Sequence, residues 1–273
     1  MKDLIIRTVY GLVFALLVAG SILIDKWLLA ILLIFVVAFG TDEMIRLRIN
    51  AKPGLRDSFL MISIPVLLFS VIAAVALQLL PVKFLTLALI ILLFPFLHAL
   101  FSQQYSFTDL AGMYWPAFFL VSLPSGLMLF FYNDAVLGEM AGAYLLLSVI
   151  IMVWLNDIFA YLVGIKFGKH RLFERISPKK SWEGSIGGLV FTLISALIFS
   201  ELTGLIPAAK AAAIAVLVVL SGSLGDLIES MIKRQAGVKD SGKIIPGHGG
   251  ILDRFDATFY AVPFVFVYLI LIY

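Results

Sequence analysis

Cysteine is absent from the 273 residues, and charge is scarce: Asp, Glu, Lys and Arg together make up 14%. The first absence excludes disulfides, thiolate metal sites and cysteine nucleophiles. The second excludes an ordinary soluble domain, which carries about 25% charged residues. No Walker A, HExxH or GxSxG pattern occurs, so nothing here carries P-loop, zinc-hydrolase or serine acyl-transfer chemistry. No internal repeat is visible, which weighs against an inverted-repeat transporter. What fills the chain instead is hydrocarbon, with 62% hydrophobic residues and a mean hydropathy of +1.10.

Apolar runs recur at a length that spans about 30 Å of bilayer core as helix. They predict an all-α, polytopic integral membrane protein with about nine transmembrane helices, near 5–24, 27–41, 58–80, 82–101, 111–132, 140–165, 184–201, 208–232 and 252–273. The second is short. The sixth is long enough to tilt or to break near Asn156-Asp157. No small-x-small cleavage site follows the first run before Asp25, so it reads as a retained span. Residues 1–140 form an N-terminal set of spans, for scaffold, dimer contact or lipid entry. Residues 141–273 carry the catalytic spans and the polar loops 166–183 and 233–251.

Of the 20 lysines and arginines, only Lys26, Lys83 and Lys210 fall on one side of this topology. The excess on the other side predicts that it faces the cytoplasm, with the N-terminus inside and the C-terminus outside. Both long polar loops then share the cytoplasmic side and can meet in one site. The net charge of +3 comes from residues between spans and is no sign of nucleic-acid binding.

The chemistry-bearing residues gather in two stretches. In the stretch from Ser230 to Asp256, Asp253 and Asp256 stand three apart at the start of the last span, so a helix puts them on one face. Asp226 lies inside the preceding span. An aspartate in hydrocarbon costs a few kcal/mol. A divalent cation shared by Asp226, Asp253 and Asp256 removes that cost, and hard oxygen ligands suit magnesium. Ion pairing with a neighbour such as Arg254 is the alternative. Lys233, Arg234, Lys239 and Lys243 are either phosphate ligands or merely cytoplasmic-side cations. Glycines on both sides of His248, Gly247 and Gly249, allow backbone N–H groups to approach an anion ahead of a helix N-terminus. In the stretch from Asn156 to Gly188, Asn156 and Asp157 end a helix face. Ser177-Pro178-Lys179-Lys180-Ser181 forms a polar turn that is either a headgroup patch or a phosphate clamp.

The spacing Ser230-x-Ile232-Lys233-Arg234-x4-Lys239-Asp240, followed by Pro246-Gly247-His248-Gly249-Gly250-x-x-Asp253-Arg254-x-Asp256, resembles the signature of the phosphatidate cytidylyltransferases, the CDP-diacylglycerol synthases. Ser177-Pro178-Lys179-Lys180-Ser181-Trp182-Glu183-Gly184 is similar to a second segment of that family. The resemblance covers roughly residues 156–258. It implies a bacterial-type inner-membrane enzyme that joins CTP to phosphatidic acid, releasing pyrophosphate, with magnesium required, potassium as an assisting cation and a homodimer as the assembly. On that basis Asp226, Asp253 and Asp256 hold the metal. Lys233 and Arg234 are placed with them as catalytic cations. Asn156, Asp157, Lys179, Lys180, Ser181, Lys239, Asp240, His248, Gly249 and Arg254 bind substrate. The rival readings are a CTP-dependent polyprenol or phytol kinase, and an ion or lipid transporter coupled through Asp226 and Asp157.

Overall fold

A computed structural model describes residues 2–49, 53–133, 139–245, 247 and 249–272. Almost all of it is helix, as hydrocarbon demands of a backbone that must satisfy its own polar groups. Helices α1 (Lys2–Ile24), α2 (Lys26–Arg48) and α3 (Leu55–Ala76) open the chain. A 3₁₀ turn, α4 (Leu87–Leu92) and α5 (Phe94–Phe101) make up the fourth apolar segment, interrupted ahead of Pro95. The fifth runs from α6 (Phe107–Pro116) through a π-helical stretch, Ala117–Ser122, into α7 (Leu123–Phe130). The wider π turns follow Pro116 and precede Pro124, where prolines remove backbone donors. Then come α8 (Glu139–Phe167), strands β1 (Arg171–Phe173) and β2 (Ser177–Ser181), α9 (Trp182–Thr203), α10 (Ala208–Gln235) and α11 (Leu252–Ile272).

Among the described residues, eight helical segments are long and apolar enough to cross a membrane, and Thr8–Ile24 of α1 is a ninth, shorter one. The expected spans are therefore present. Two details differ from expectation. The second span is a full helix of 23 residues, because the polar run Thr41-Asp42-Glu43 does not end it. The sixth runs unbroken through Asn156-Asp157 for 29 residues. The expected Ser177–Ser181 turn is instead a strand: it pairs antiparallel with β1, Arg171 facing Ser181 and Phe173 facing Ser177, with an irregularity between.

Two groups of helices meet along α11. In the first, α2 packs on α1, α3 and α6, and α3 on α7. In the second, α9 lies between α8 and α10, and α10 packs along α11. The last helix also touches α7 and the π-helical stretch, and α1 touches α8. Helix starts are marked by short polar caps. The Asp25 carboxylate accepts from Trp27 N at 2.6 Å, and Ser106 and Asp109 cap α6 reciprocally. Such caps satisfy donors that a helix start leaves unpaired.

Candidate active site

The site begins with a stripe of small residues. On α9 the buried positions are Gly184, Gly188, Thr192, Ala196 and Ser200, each four residues from the last. Small residues at that spacing let helix backbones approach where lipid offers no hydrophobic drive for association. A Cβ on Gly184 would lie 2.5 Å from Ala160 O of α8, and one on Gly188 would strike the Asn156 side chain and lie 2.9 Å from its carbonyl. Gly187 is likewise closed in by Val163. Close contact of α8 and α9 thus fixes Asn156 and Asp157 beside the start of α9.

That start is held by two side chains. Ser181 is buried, and its Oγ accepts from Gly184 N at 3.1 Å as the N-cap of α9. Glu183, in the first turn of the helix, accepts from Lys169 N at 3.1 Å and from His170 Nδ1 at 2.6 Å. It fastens the entry of the β-hairpin to the helix that follows it. The hairpin then hangs Arg171, Lys179 and Lys180 over a cavity of about 590 Å³ bounded by α8, α9 and α10. Asn156, Asp157, Tyr161, Ser181, Ser185, Ser223 and Asp226 complete its polar lining. Lys180 Nζ is ion-paired with the Asp226 carboxylate. Cations above and carboxylates below suit a bound polyphosphate with its counter-cation.

Helix α11 brings the next acid. Gly225 of α10 admits α11 so closely that a Cβ there would lie 2.6 Å from Asp256 O. Asp226 and Asp256 therefore sit on abutting helices. Asp256 is within electrostatic reach of Asp226, Glu229 and Asp157, and Asp157 within reach of Lys180 and Arg254. Among the described residues, Asn156 Oδ1 and Arg254 Nε are buried here without a hydrogen-bond partner, as are both Glu229 oxygens, which the Lys233 ion pair serves.

Asp253 turns elsewhere. Its carboxylate accepts from Lys233 Nζ (2.6 Å), Gly250 N (2.8 Å), Ser241 N (2.9 Å) and Ser241 Oγ (3.0 Å). Lys233 is 8% exposed and also pairs with Glu229. The expected cluster of Asp226, Asp253 and Asp256 is not assembled: among the described residues no three acids or histidines come together as a metal-binding group. The physical reason is saturation, since four donors fill the acceptor sites of Asp253. Lys233 likewise does not line the cavity, because two buried carboxylates already hold its charge. Arg234 is exposed, with Nη1 donating to Val238 O at 2.8 Å across the end of α10. Lys239 and Asp240 are exposed on the loop beyond it. Gly249 has φ +85° and its carbonyl accepts from Ile245 N at 3.0 Å. That φ and the close Asp253 carboxylate together call for glycine. His248 and Pro246 lie outside the described residues.

Several site residues escaped the sequence reading. Glu43 of α2 is 1% exposed and accepts from Ser241 Oγ (2.7 Å), Ile251 N (2.8 Å) and Leu252 N (3.0 Å). The signal for it was an ionisable residue inside an apolar helix. Glu229 offered the same signal. Arg171, Ser185 and Ser223 offered none, because only the hairpin and helix packing bring them to the cavity.

Comparison with known proteins settles the family. The model of the cytidylyltransferase family matches residues 5–272. The chain belongs to that family. It is 48% identical over 134 residues to the phosphatidate cytidylyltransferase of Haemophilus influenzae, covering 45% of this chain and 44% of that one. It is 46% identical over 122 residues to the protein of the same name from Bacillus subtilis, 44% and 45% of the two chains. With the one from Staphylococcus haemolyticus it shares 38% over 169 residues, 62% of each. The chain thus spans about half the length of the curated relatives it matches. In this chain the hairpin cavity abuts two aspartates of apolar helices, Asp157 of α8 and Asp226 of α10.

Proposed function

We propose that this cytidylyltransferase transfers the cytidylyl group of CTP to phosphatidic acid, yielding CDP-diacylglycerol and pyrophosphate. The observation that carries this is the hairpin cavity, with Arg171, Lys179 and Lys180 above Asp157 and Asp226. A phosphate oxygen of phosphatidate attacks the α-phosphorus of CTP. The bond from that phosphorus to the bridging oxygen of the β-phosphate breaks, and pyrophosphate leaves with the electron pair. The nucleophile is already anionic, so no strong general base is required. The obstacle is repulsion between two polyanions, which cations and positioning overcome. Lys179, Lys180 and Arg171 hold phosphates, and Ser181, Ser185 and Ser223 offer hydroxyl donors. No covalent enzyme intermediate forms.

Magnesium fits the donor set of this chain. Asp226 and Asn156 line the cavity, Asn156 with a buried oxygen that lacks a partner, and Asp256 lies within electrostatic reach of Asp226; all are hard oxygen donors. Bound there, the ion would neutralise charge that develops on the phosphates. Asp157 stands as the outer carboxylate of the set. Asp253 and Lys233 hold the architecture under it, and Arg234, Lys239, Asp240 and the loop around Gly249 form the mouth. Potassium, the homodimer and the cytoplasmic placement of the cavity belong to the same reading, as does a scaffolding role for residues 1–140. In a bacterial inner membrane, the phosphatidate headgroup reaches the cavity from the cytoplasmic leaflet.

Purified protein incubated with labelled CTP, phosphatidate and magnesium is the test. A cytidine-containing lipid and pyrophosphate are the expected products. CDP with a phosphorylated lipid would overturn the proposal in favour of a kinase.

A further inference from the structure

We propose that Glu43, in the N-terminal half, is a positioning residue for the transfer site, setting the first turn of α11 from about 200 residues away in sequence; this rests on the functional reading above. Glu43 is a buried carboxylate in a helix of mean hydropathy 2.2. Burying such a group is costly unless it is hydrogen-bonded. All three of its recorded donors come from one distant segment: Ser241 Oγ, Ile251 N and Leu252 N. The last two are backbone donors at the α11 N-terminus, which helix geometry leaves unpaired. Glu43 therefore caps α11 in trans, and its negative charge faces the positive end of that helix.

The fit around it is tight. A Cβ on Gly242 or Gly250 would collide with the Glu43 carboxylate, so the loop closes over Glu43 by backbone alone. Ser241 has one hydroxyl hydrogen and lies 2.7 Å from Glu43 and 3.0 Å from Asp253. Its backbone N–H also serves Asp253 at 2.9 Å, and the one hydroxyl hydrogen is shared between the two carboxylates, nearer to Glu43. Two carboxylates from opposite ends of the chain thus clamp one serine. The charged groups around Glu43 are Asp253 and, through it, Lys233 and Glu229. Arg254 and Asp256 follow in the same turn of α11. A tilt of that turn moves Asp256 against Asp226, so Glu43 acts on the reaction without touching the cavity, whose lining does not include it.

Glu43→Gln preserves shape but places an amide donor against one of the donors that the carboxylate accepts from. Wild type, E43Q, E43D and S241A in detergent would be compared by amide hydrogen exchange and by rates across magnesium and phosphatidate concentrations. Losing a hydrogen bond to a charged group is expected to speed exchange of the 249–253 amides by about tenfold or more in E43Q, and to raise half-saturating magnesium by a similar factor. The KM for phosphatidate should stay within about twofold, and E43D and S241A should show the same pattern in smaller measure. A lowered melting temperature with unchanged exchange and magnesium dependence would overturn the proposal, as would a change confined to phosphatidate KM. If E43Q fails to fold, S241A decides on the same criteria. If wild type forms no CDP-diacylglycerol, the functional reading fails, while the exchange measurement still reports whether Glu43 holds α11.

Discussion

Lys233 offers the sharpest test, because sequence and structure assign it different work. Its side chain is 10% exposed, and those of its partners Glu229 and Asp253 are 6% and 7% exposed. Removing one member of a buried ion pair costs roughly 3–5 kcal/mol, since the remaining charge is left without compensation. In Lys233→Met the burden is unequal. Asp253 keeps the donors Gly250 N, Ser241 N and Ser241 Oγ, whereas Lys233 is the ion-pair partner recorded for Glu229. The expected loss is therefore at the lower end, about 3 kcal/mol. At about 2–4 °C per kcal/mol for a chain of this size, the melting temperature falls by about 6–12 °C. A second change, Glu229→Met, removes the stranded charge and should restore most of that loss, as apolar replacement of a whole buried pair is often neutral. The assay is thermal unfolding in detergent, read by size exclusion, with nucleotide affinity measured in parallel. If Lys233→Met melts with the wild type and loses only nucleotide affinity, Lys233 is a phosphate ligand and the strut argument is refuted.

Three further outcomes follow from the same geometry. Gly188→Ala forces α9 away from Asn156 and should cost about 1–3 kcal/mol by overpacking, with weaker nucleotide binding; an unchanged melting temperature and affinity would contradict the close contact. Ser181→Ala removes the cap of α9 and should cost about 0.5–2 kcal/mol, visible as a lower melting temperature. Asp226→Asn should lower turnover by more than about 100-fold, since disturbing even outer-sphere support of a metal costs 10–100-fold; chelating magnesium from wild type should do the same, and robust activity after either would remove Asp226 from the metal.

Much of the architecture was legible because hydrocarbon length is written directly into sequence. Runs near 58–80 and 208–232 lie close to α3 and α10, as the bilayer thickness requires. Polar residues misled at two places. Asp42 and Glu43 read as the end of a span, but Glu43 is buried against the α11 N-terminus, and the helix continues. The lysine pair after Pro178 read as a turn, whereas Pro178 sits in a two-stranded hairpin, whose exposed edge needs no proline N–H. At the site, Lys179, Lys180, Asn156, Asp157 and Asp226 do line one cavity, because the stretch from Asn156 to Gly188 and Asp226 of α10 meet at the α8–α9–α10 junction. The role of Glu43 stayed hidden since two of its three partners are backbone groups, which carry no sequence signature, and the third, Ser241, lies 198 residues away.

The separation of Asp253 from Asp256 shows why spacing alone could not sort the acids. Three positions apart on a helix bring two side chains to neighbouring directions, about 60° apart, which suffices for both to reach one ion. On α11 the same 60° takes them to different neighbours. Asp253 turns to the loop and Lys233, where four donors saturate it. Asp256 turns toward Asp226 and Asp157, and its recorded hydrogen bond comes only from Ala257 N at 2.7 Å. An ionised carboxyl has about four lone-pair sites, so Asp256 retains the capacity that Asp253 has spent. Asp226 is similar, with one long hydrogen bond from Ser230 at 3.3 Å and an ion pair with the half-buried Lys180. Donor count, rather than position in the motif, divides the carboxylates that hold the fold from those free to hold a cation.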